Sequence, residues 1–367
     1  MEQAHPARNG SAMNKSQYIQ SLDGLRGLAA FAVVLSHMPL LLGISLPALL
    51  VGDPSVALFF SLSGFLMAHL YGAKPFTRAS VADYLVHRFV RIYPVYLVAV
   101  LLVILLSAIP ALHYIQPITG LVEIFRHIAM LGSSGVFWSV PPEIQFYLFF
   151  LLLWLCFENP AKRPGLCAAI AGGFAIAMYL GFPGPGIVLL SKIPYFLFGA
   201  LAGRVFSAGY CRPATVLSGL VVLGLIALFF LGQSFYAAAN AFWGTSTALI
   251  ATIIVYLAAC EAPISKAVLA SAPLRFAGRI SFSLYLFHMP VSFLTLTALR
   301  NAFGATLPGW LAALIMIFAS LGIATLSYSL IEKPSRRFFL GLWKARFPAL
   351  SSATGKPDIP AAAHLSS

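Results

Sequence analysis

Apolar runs of about 20 residues, cut by Pro, Gly or short basic clusters, recur along nearly the whole chain. About ten runs are long enough to cross a bilayer as helices: 22–42, 55–72, 92–110, 138–157, 166–182, 187–204, 213–232, 240–260, 278–299 and 309–331. The fifth and sixth are separated by the helix-breaking FPGPG. The stretch TGLVEIFRHIAML (119–131) is amphipathic but too short to span, and it reads as an interfacial helix. The pattern predicts an all-α, polytopic membrane protein. One membrane domain covers 17–338, between a flexible N-terminus (1–16) and a flexible tail (339–367).

Composition agrees with this picture. Of 367 residues, 60% are hydrophobic and only 9% are charged, whereas soluble domains carry about a quarter charged residues. Mean hydropathy is +0.90. A net charge of +13 would suit a nucleic-acid binder, but the basic residues fall in alternate loops. Lys74, Arg78, Arg88 and Arg91 lie between the second and third runs, and Lys162 and Arg163 between the fourth and fifth. Arg204 and Arg212 follow the sixth run, and Lys266, Arg275 and Arg279 follow the eighth. Lys333, Arg336, Arg337, Lys344, Arg346 and Lys356 follow the last. The opposite loops hold only Arg126, Lys192 and Arg300. Positive-inside placement then puts both termini in the cytoplasm, which an even number of crossings requires, with the chain in the inner (cytoplasmic) membrane. Partners in bulk are lipids, and nucleic acid is not expected. The polar first 20 residues give no cleavable leader. Cys156, Cys167, Cys211 and Cys260 are scattered, so they read as small apolar residues forming neither a disulfide framework nor a metal site.

Two residues in the first run need explaining. LDGLRGLAAFAVVLSH carries Arg26 near one end and His37 well inside. Ionisable groups in hydrocarbon cost roughly 2.5–3.5 kcal/mol on insertion scales. Eleven residues make close to three helical turns, so both lie on one face about 16 Å apart. A guanidinium at the cytoplasmic mouth suits phosphate or carboxylate, and a histidine at depth suits proton transfer. Equally, Arg26 is open to reading as a snorkelling topology charge paired with Asp23, and His37 as a structural hydrogen-bonder.

The same segment matches the Arg-x10-His signature of the membrane-bound acyltransferase-3 family, which includes O-antigen and nodulation-factor O-acetyltransferases. Five further segments resemble that family in order: FFSLSGFLM (59–67), the basic pair and Ile-x-Pro-x-Tyr of RFVRIYPVY (88–96), WSVPPEIQFYL (138–148), FSLYLFHMP (282–290) and IEKPSRRF (331–338). The resemblance covers roughly 17–338. It departs at Pro141-Pro142, where the family usually has Ser or Gly followed by Val. It implies transfer of an acyl group, commonly acetyl from acetyl-CoA, to a hydroxyl of a saccharide or lipid-linked glycan, without a metal.

Residue chemistry can be set beside that implication. Arg88 and Arg91 share a helix face and, with Arg26, would hold the phosphates of acyl-CoA; alone they read as a positive-inside cluster. Glu143 lies at a depth like that of His37 and would orient it, or else is satisfied by Tyr147 one turn on. Ser281, Tyr285 and His288 share a face, with His288 a second base, a thioester contact or a structural hydrogen-bonder. Ser61 and Ser63 read as packing residues, and Glu332 with Arg336 as a structural clamp. Three rival readings stay open. One is a proton-coupled transporter relaying through His37, Glu143 and His288; another is a degenerate acyl-binding scaffold; the third is an acyltransferase for a small, macrolide-like acceptor.

Overall fold

Close packing in the bundle begins with glycines. In the computed structural model, which describes residues 18–44, 52–211, 215–232, 242–348 and 350, helix α1 (Gln20–Leu42) lies against a long helix near the C-terminus, Ala272–Phe303. A Cβ on Gly278 would sit 2.0 Å from the Asp23 carbonyl, and one on Gly27 would sit 2.2 Å from the Leu274 carbonyl. Such approach is what small residues allow between membrane helices. Helix α2 (Gly52–Tyr71) packs against α1 and, through Gly64, against Leu189–Ser207, whose Gly199 and Gly203 meet the Ser61 and Phe65 carbonyls.

The remaining elements run in chain order. Helix α3 (Arg78–Ser107) starts on a Thr77 cap that accepts from the Ser80 amide, and it is longer than the expected 92–110. The hydropathy pattern stops at Arg88 and Arg91, but the helix carries on through them. Next come α4 (Leu121–Ile128), α5 (Val140–Glu158), α6 (Pro164–Tyr179) and α7 (Leu189–Ser207). A 3-10 turn, Gly135–Ser139, leads into α5, whose two prolines fall in the first turn, where they are tolerated. Then follow α8 (Val216–Leu231), α9 (Thr245–Ala259), α10 (Pro263–Leu269), α11 (Ala272–Phe303), α12 (Gly309–Ser327), a π-helical turn (Tyr328–Glu332) and α13 (Lys333–Arg346).

There is no strand among the described residues. Seven helical segments are long and apolar enough to cross a membrane, and α9 with α10, bent by 97° at their junction, makes an eighth candidate. The two short apolar helices α6 and α8 would reach only about 24 Å, less than a hydrocarbon core of roughly 30 Å. Each of the ten expected runs holds a helix, but length and hydropathy single out seven or eight. Exposed Leu105, Leu148, Leu228 and Phe318 give the bundle the apolar outside of a multi-pass membrane protein. On α4, Leu121 (85% exposed), Val122 and Phe125 face outward, whereas His127 is buried under hydrogen bonds from the Ser134 amide and to the Glu123 carbonyl. Helix α13 continues into the segment read as a tail; residues 1–16 and 351–367 lie outside the described residues.

One cysteine expectation is corrected. Cys211 and Cys260 are joined by a disulfide with Cα atoms 5.9 Å apart, while Cys156 and Cys167 are free. The partners are 49 residues apart and meet because α9 packs against both α7 and α8, the helices that flank Cys211, which spacing alone does not reveal. Beside them, Glu261 sits at the α9–α10 bend. Its carboxylate accepts from the Ser21 amide at 3.2 Å and pairs with Lys266 at 2.7 Å, tying the start of α1 to this corner.

Candidate active site

Two cavities meet inside the bundle, separated by a thin wall. Val56 of α2 and Tyr285 of α11 line both. The 3-10 turn before α5 straddles the boundary: Gly135, Val136 and Trp138 face one cavity, and Ser139, Val140 and Glu143 face the other. The Tyr285 hydroxyl fastens this wall, accepting from Ser139 Oγ at 2.8 Å and donating to the Val136 carbonyl at 2.8 Å.

The first cavity has a volume of about 70 Å³ and is lined by Arg26, Arg88, Arg91, Glu143, Ser63 and Ser281 among apolar side chains. Arg26 pairs with Asp23 at 3.4 Å. At its edge the Tyr18 hydroxyl donates to Asp23, and partial burial together with that carboxylate pushes the phenol up to about 12. Arg88 is 8% exposed, lies over the Tyr71 and Tyr147 rings at 5.7 and 6.0 Å, and has a buried Nε with no hydrogen-bond partner. Glu143 accepts from Tyr147 at 2.5 Å and Ser63 at 3.1 Å. Three guanidiniums against one lining carboxylate, one of them with an orphaned buried donor, fit a multiply charged anion such as a nucleotide phosphate. Glu332, in the π-helical turn, accepts from Ser283 of α11 at 2.8 Å, while Arg336 stays near enough for the two charges to act on each other without a direct ion pair.

The second cavity has a volume of about 480 Å³ and is lined by Ser36, His37, Asp53, Gln116, Trp138 and Tyr285 among others. His37 Nδ1 is 2.9 Å from the Val33 carbonyl, 3.2 Å from Ser36 Oγ and 3.4 Å from His288 Nε2. A carbonyl can only accept, so Nδ1 carries the proton and Nε2 keeps the free lone pair. His288 is fully buried, and its Nδ1 lies 2.8 Å from the Tyr285 carbonyl, which assigns that nitrogen as donor and leaves Nε2 to accept from His37. Two acceptors thus hold His37 in the tautomer of a neutral base.

The structure gathers the expected residues into two groups. Arg26, Arg88, Arg91 and Glu143 share the arginine cavity, and His37 joins His288 at the histidine cavity. The expected pairing of Glu143 with His37 is not made, because Glu143 bonds Tyr147 and Ser63 on the far side of the wall. Ser281, Tyr285 and His288 do follow one face of α11, from the arginine cavity through the wall to His37. Sequence reasoning missed Asp53, Gln116, Lys192 and Trp243. Asp53 stands at the edge of an apolar run, and Lys192 looks like an ordinary loop charge. Among the described residues no group of three His, Cys, Asp or Glu side chains is arranged to hold a metal ion.

Comparison with known proteins bears on this arrangement. A family model described as an acyltransferase domain matches residues 19–329. The peptidoglycan O-acetyltransferase OatA of Listeria monocytogenes is 25% identical over 88% of this chain and 56% of its own length. Protein 2 in the picA locus of Rhizobium radiobacter is 38% identical over 22% of this chain and 41% of its own. The chain therefore spans about half the length of the curated relatives it matches. No solved structure matches it.

Proposed function

The chain belongs to the acyltransferase-3 family, and we propose that it is a membrane O-acyltransferase moving an acyl group, acetyl in the first instance, from acyl-CoA to a hydroxyl of a saccharide or lipid-linked glycan. The observation that carries this reading is the meeting of an arginine-lined cavity with a histidine base across a wall of one tyrosine, one valine and one turn. The named activity of the Listeria relative supports the saccharide acceptor. In the same reading the seven long helices, the bent pair and the two short apolar helices make ten crossings of the inner membrane, with both termini cytoplasmic, as the loop charges favour.

Arg26, Arg88 and Arg91 bind the donor's phosphates, and Tyr71 and Tyr147 hold the Arg88 guanidinium flat. Glu143, tied to Tyr147 and Ser63, offsets part of the arginine charge when the cavity is empty. The bound thioester then extends toward Val56 and Tyr285, where the wall is thinnest. From the other side His37 Nε2 takes the proton of the acceptor hydroxyl, while Val33 and His288 hold Nδ1–H. The hydroxyl oxygen attacks the thioester carbonyl, the C–S bond breaks, and His37 returns the proton to the departing thiolate.

The reading is tested by thiol release from acetyl-CoA in proteoliposomes, with cell-envelope glycan as acceptor. Glycan-dependent turnover is expected in the wild type, with a loss of about 10²–10⁴-fold in His37→Ala. Proton-coupled solute uptake without thiol release, and labelled acetyl-CoA bound no worse by Arg26→Ala, would overturn it.

A further inference from the structure

The histidine cavity holds a carboxylate that the steps above leave unused. Asp53, in the first turn of α2, lines the cavity with His37 and is close enough for its charge to bear on that ring. It is not an isolated charge, since the Lys192 ammonium and the Trp243 indole are near enough to act on it. Lys192 is only 6% exposed, with Nζ 3.6 Å from the Trp243 ring centroid and 5.6 Å from that of Trp138. The aromatic faces stabilise the ammonium but cannot accept its hydrogen bonds.

The chemistry of the lining narrows what enters. Among the described residues no arginine lines this cavity, and the Asp53 and Lys192 charges balance, so an anion gains nothing here that the arginine cavity does not offer more strongly. Trp138 presents an indole wall. Gln116 offers a carboxamide, held against Gly135, where a Cβ would sit 2.1 Å from its Oε1 and where φ is +53°. An aromatic wall with a carboxylate and an amide on a cavity of this size matches an uncharged ring with apolar C–H faces and several hydroxyls.

We propose that Asp53 is the acceptor-binding carboxylate. With Gln116 and Trp138 it holds a neutral pyranose and accepts a hydrogen bond from the hydroxyl next to the one that His37 deprotonates. Asp53 takes no part in the proton transfer. The part given to His37 rests on the acyl-transfer reading; sugar binding by the cavity does not.

The experiment is a titration of the intact protein in nanodiscs with triacetylchitotriose, a neutral probe, read by intrinsic tryptophan fluorescence. A saturable change is expected in the wild type and is lost in Trp138→Phe, which identifies the reporter. Asp53→Asn raises the Kd about tenfold and Asp53→Glu recovers it to within about threefold, as loss and return of one charge-assisted hydrogen bond require. Gln116→Leu, on another wall, weakens binding as well and serves if an Asp53 variant does not fold. No saturable change in the wild type, a wild-type Kd in Asp53→Asn, or tighter binding of a uronate trisaccharide each overturns the proposal. A wild type that binds sugar but releases no thiol from acyl-CoA removes the acyl-transfer reading and leaves the sugar site standing; thiol release without sugar binding does the reverse.

Discussion

His288 Nε2 lies 3.4 Å from His37 Nδ1, the nitrogen of His37 that also donates to the Val33 carbonyl. The rings meet edge to face, with centroids 4.9 Å apart and planes at 62°. In the proposed reaction His288 would therefore work through His37, as a positioning residue that keeps the proton on Nδ1. His288→Leu is expected to lower kcat by about tenfold to a hundredfold with the acyl-CoA KM unchanged, whereas His288→Gln, which keeps an acceptor near that place, retains most of the rate. Equal loss in both variants, with lowered thermal stability, would show a packing role alone.

Glu143 separates two views of the site. If it served His37, Glu143→Gln would collapse kcat. Placed among Arg26, Arg88 and Arg91, its loss instead leaves the arginines less compensated, so the acyl-CoA KM is expected to fall or hold while kcat changes by less than about tenfold. Steady-state kinetics on both substrates decide between these outcomes.

Arg88 is the guanidinium with an orphaned buried donor. Arg88→Gln is expected to weaken acyl-CoA binding by about tenfold or more, and Arg88→Lys to recover little of it, because a point charge cannot replace a fork stacked on two rings. The same variants should bind dephospho-CoA and CoA with a smaller difference than the wild type does if Arg88 meets the ribose phosphate; isothermal titration measures it.

Gly278→Ala tests the helix packing. Its Cβ would stand 2.0 Å from the Asp23 carbonyl, a backbone atom that cannot swing away. A cost of about 1–3 kcal/mol is expected, seen as a lower melting temperature in detergent. Gly172→Ala on α6, where a Cβ meets open space, should leave the melting temperature within a degree or so of the wild type or slightly above it.

Much of the architecture could be read from the chain because hydropathy and helical periodicity are local properties. The Arg26–His37 spacing survives in α1 for the same reason: both lie on one continuous helix. For Glu143 the chain left two partners open, His37 and Tyr147, and the structure makes the bond to Tyr147, because residue counting gives depth and not direction. The count took α5 to begin at the membrane surface, but the Gly135–Ser139 turn precedes it inside the bundle and carries Glu143 past the wall. Asp53 and the Cys211–Cys260 bridge depend on contacts between distant segments, for which the local pattern holds no signal.

The Tyr285 wall has a meaning for the cell as well as for the reaction. Two cavities lined from opposite ends of α1 would conduct protons and small ions if water filled them and nothing closed them, and a membrane that leaks cannot hold an electrochemical gradient. The bonds between Tyr285 and Ser139 and Val136, with Val56 beside them, would make the proposed catalytic junction an insulator too. Tyr285→Ala should therefore dissipate a pH step across proteoliposomes faster than the wild type, as a trapped pH dye would report; in the proposed reaction an acyl group would have to meet its acceptor without short-circuiting the membrane.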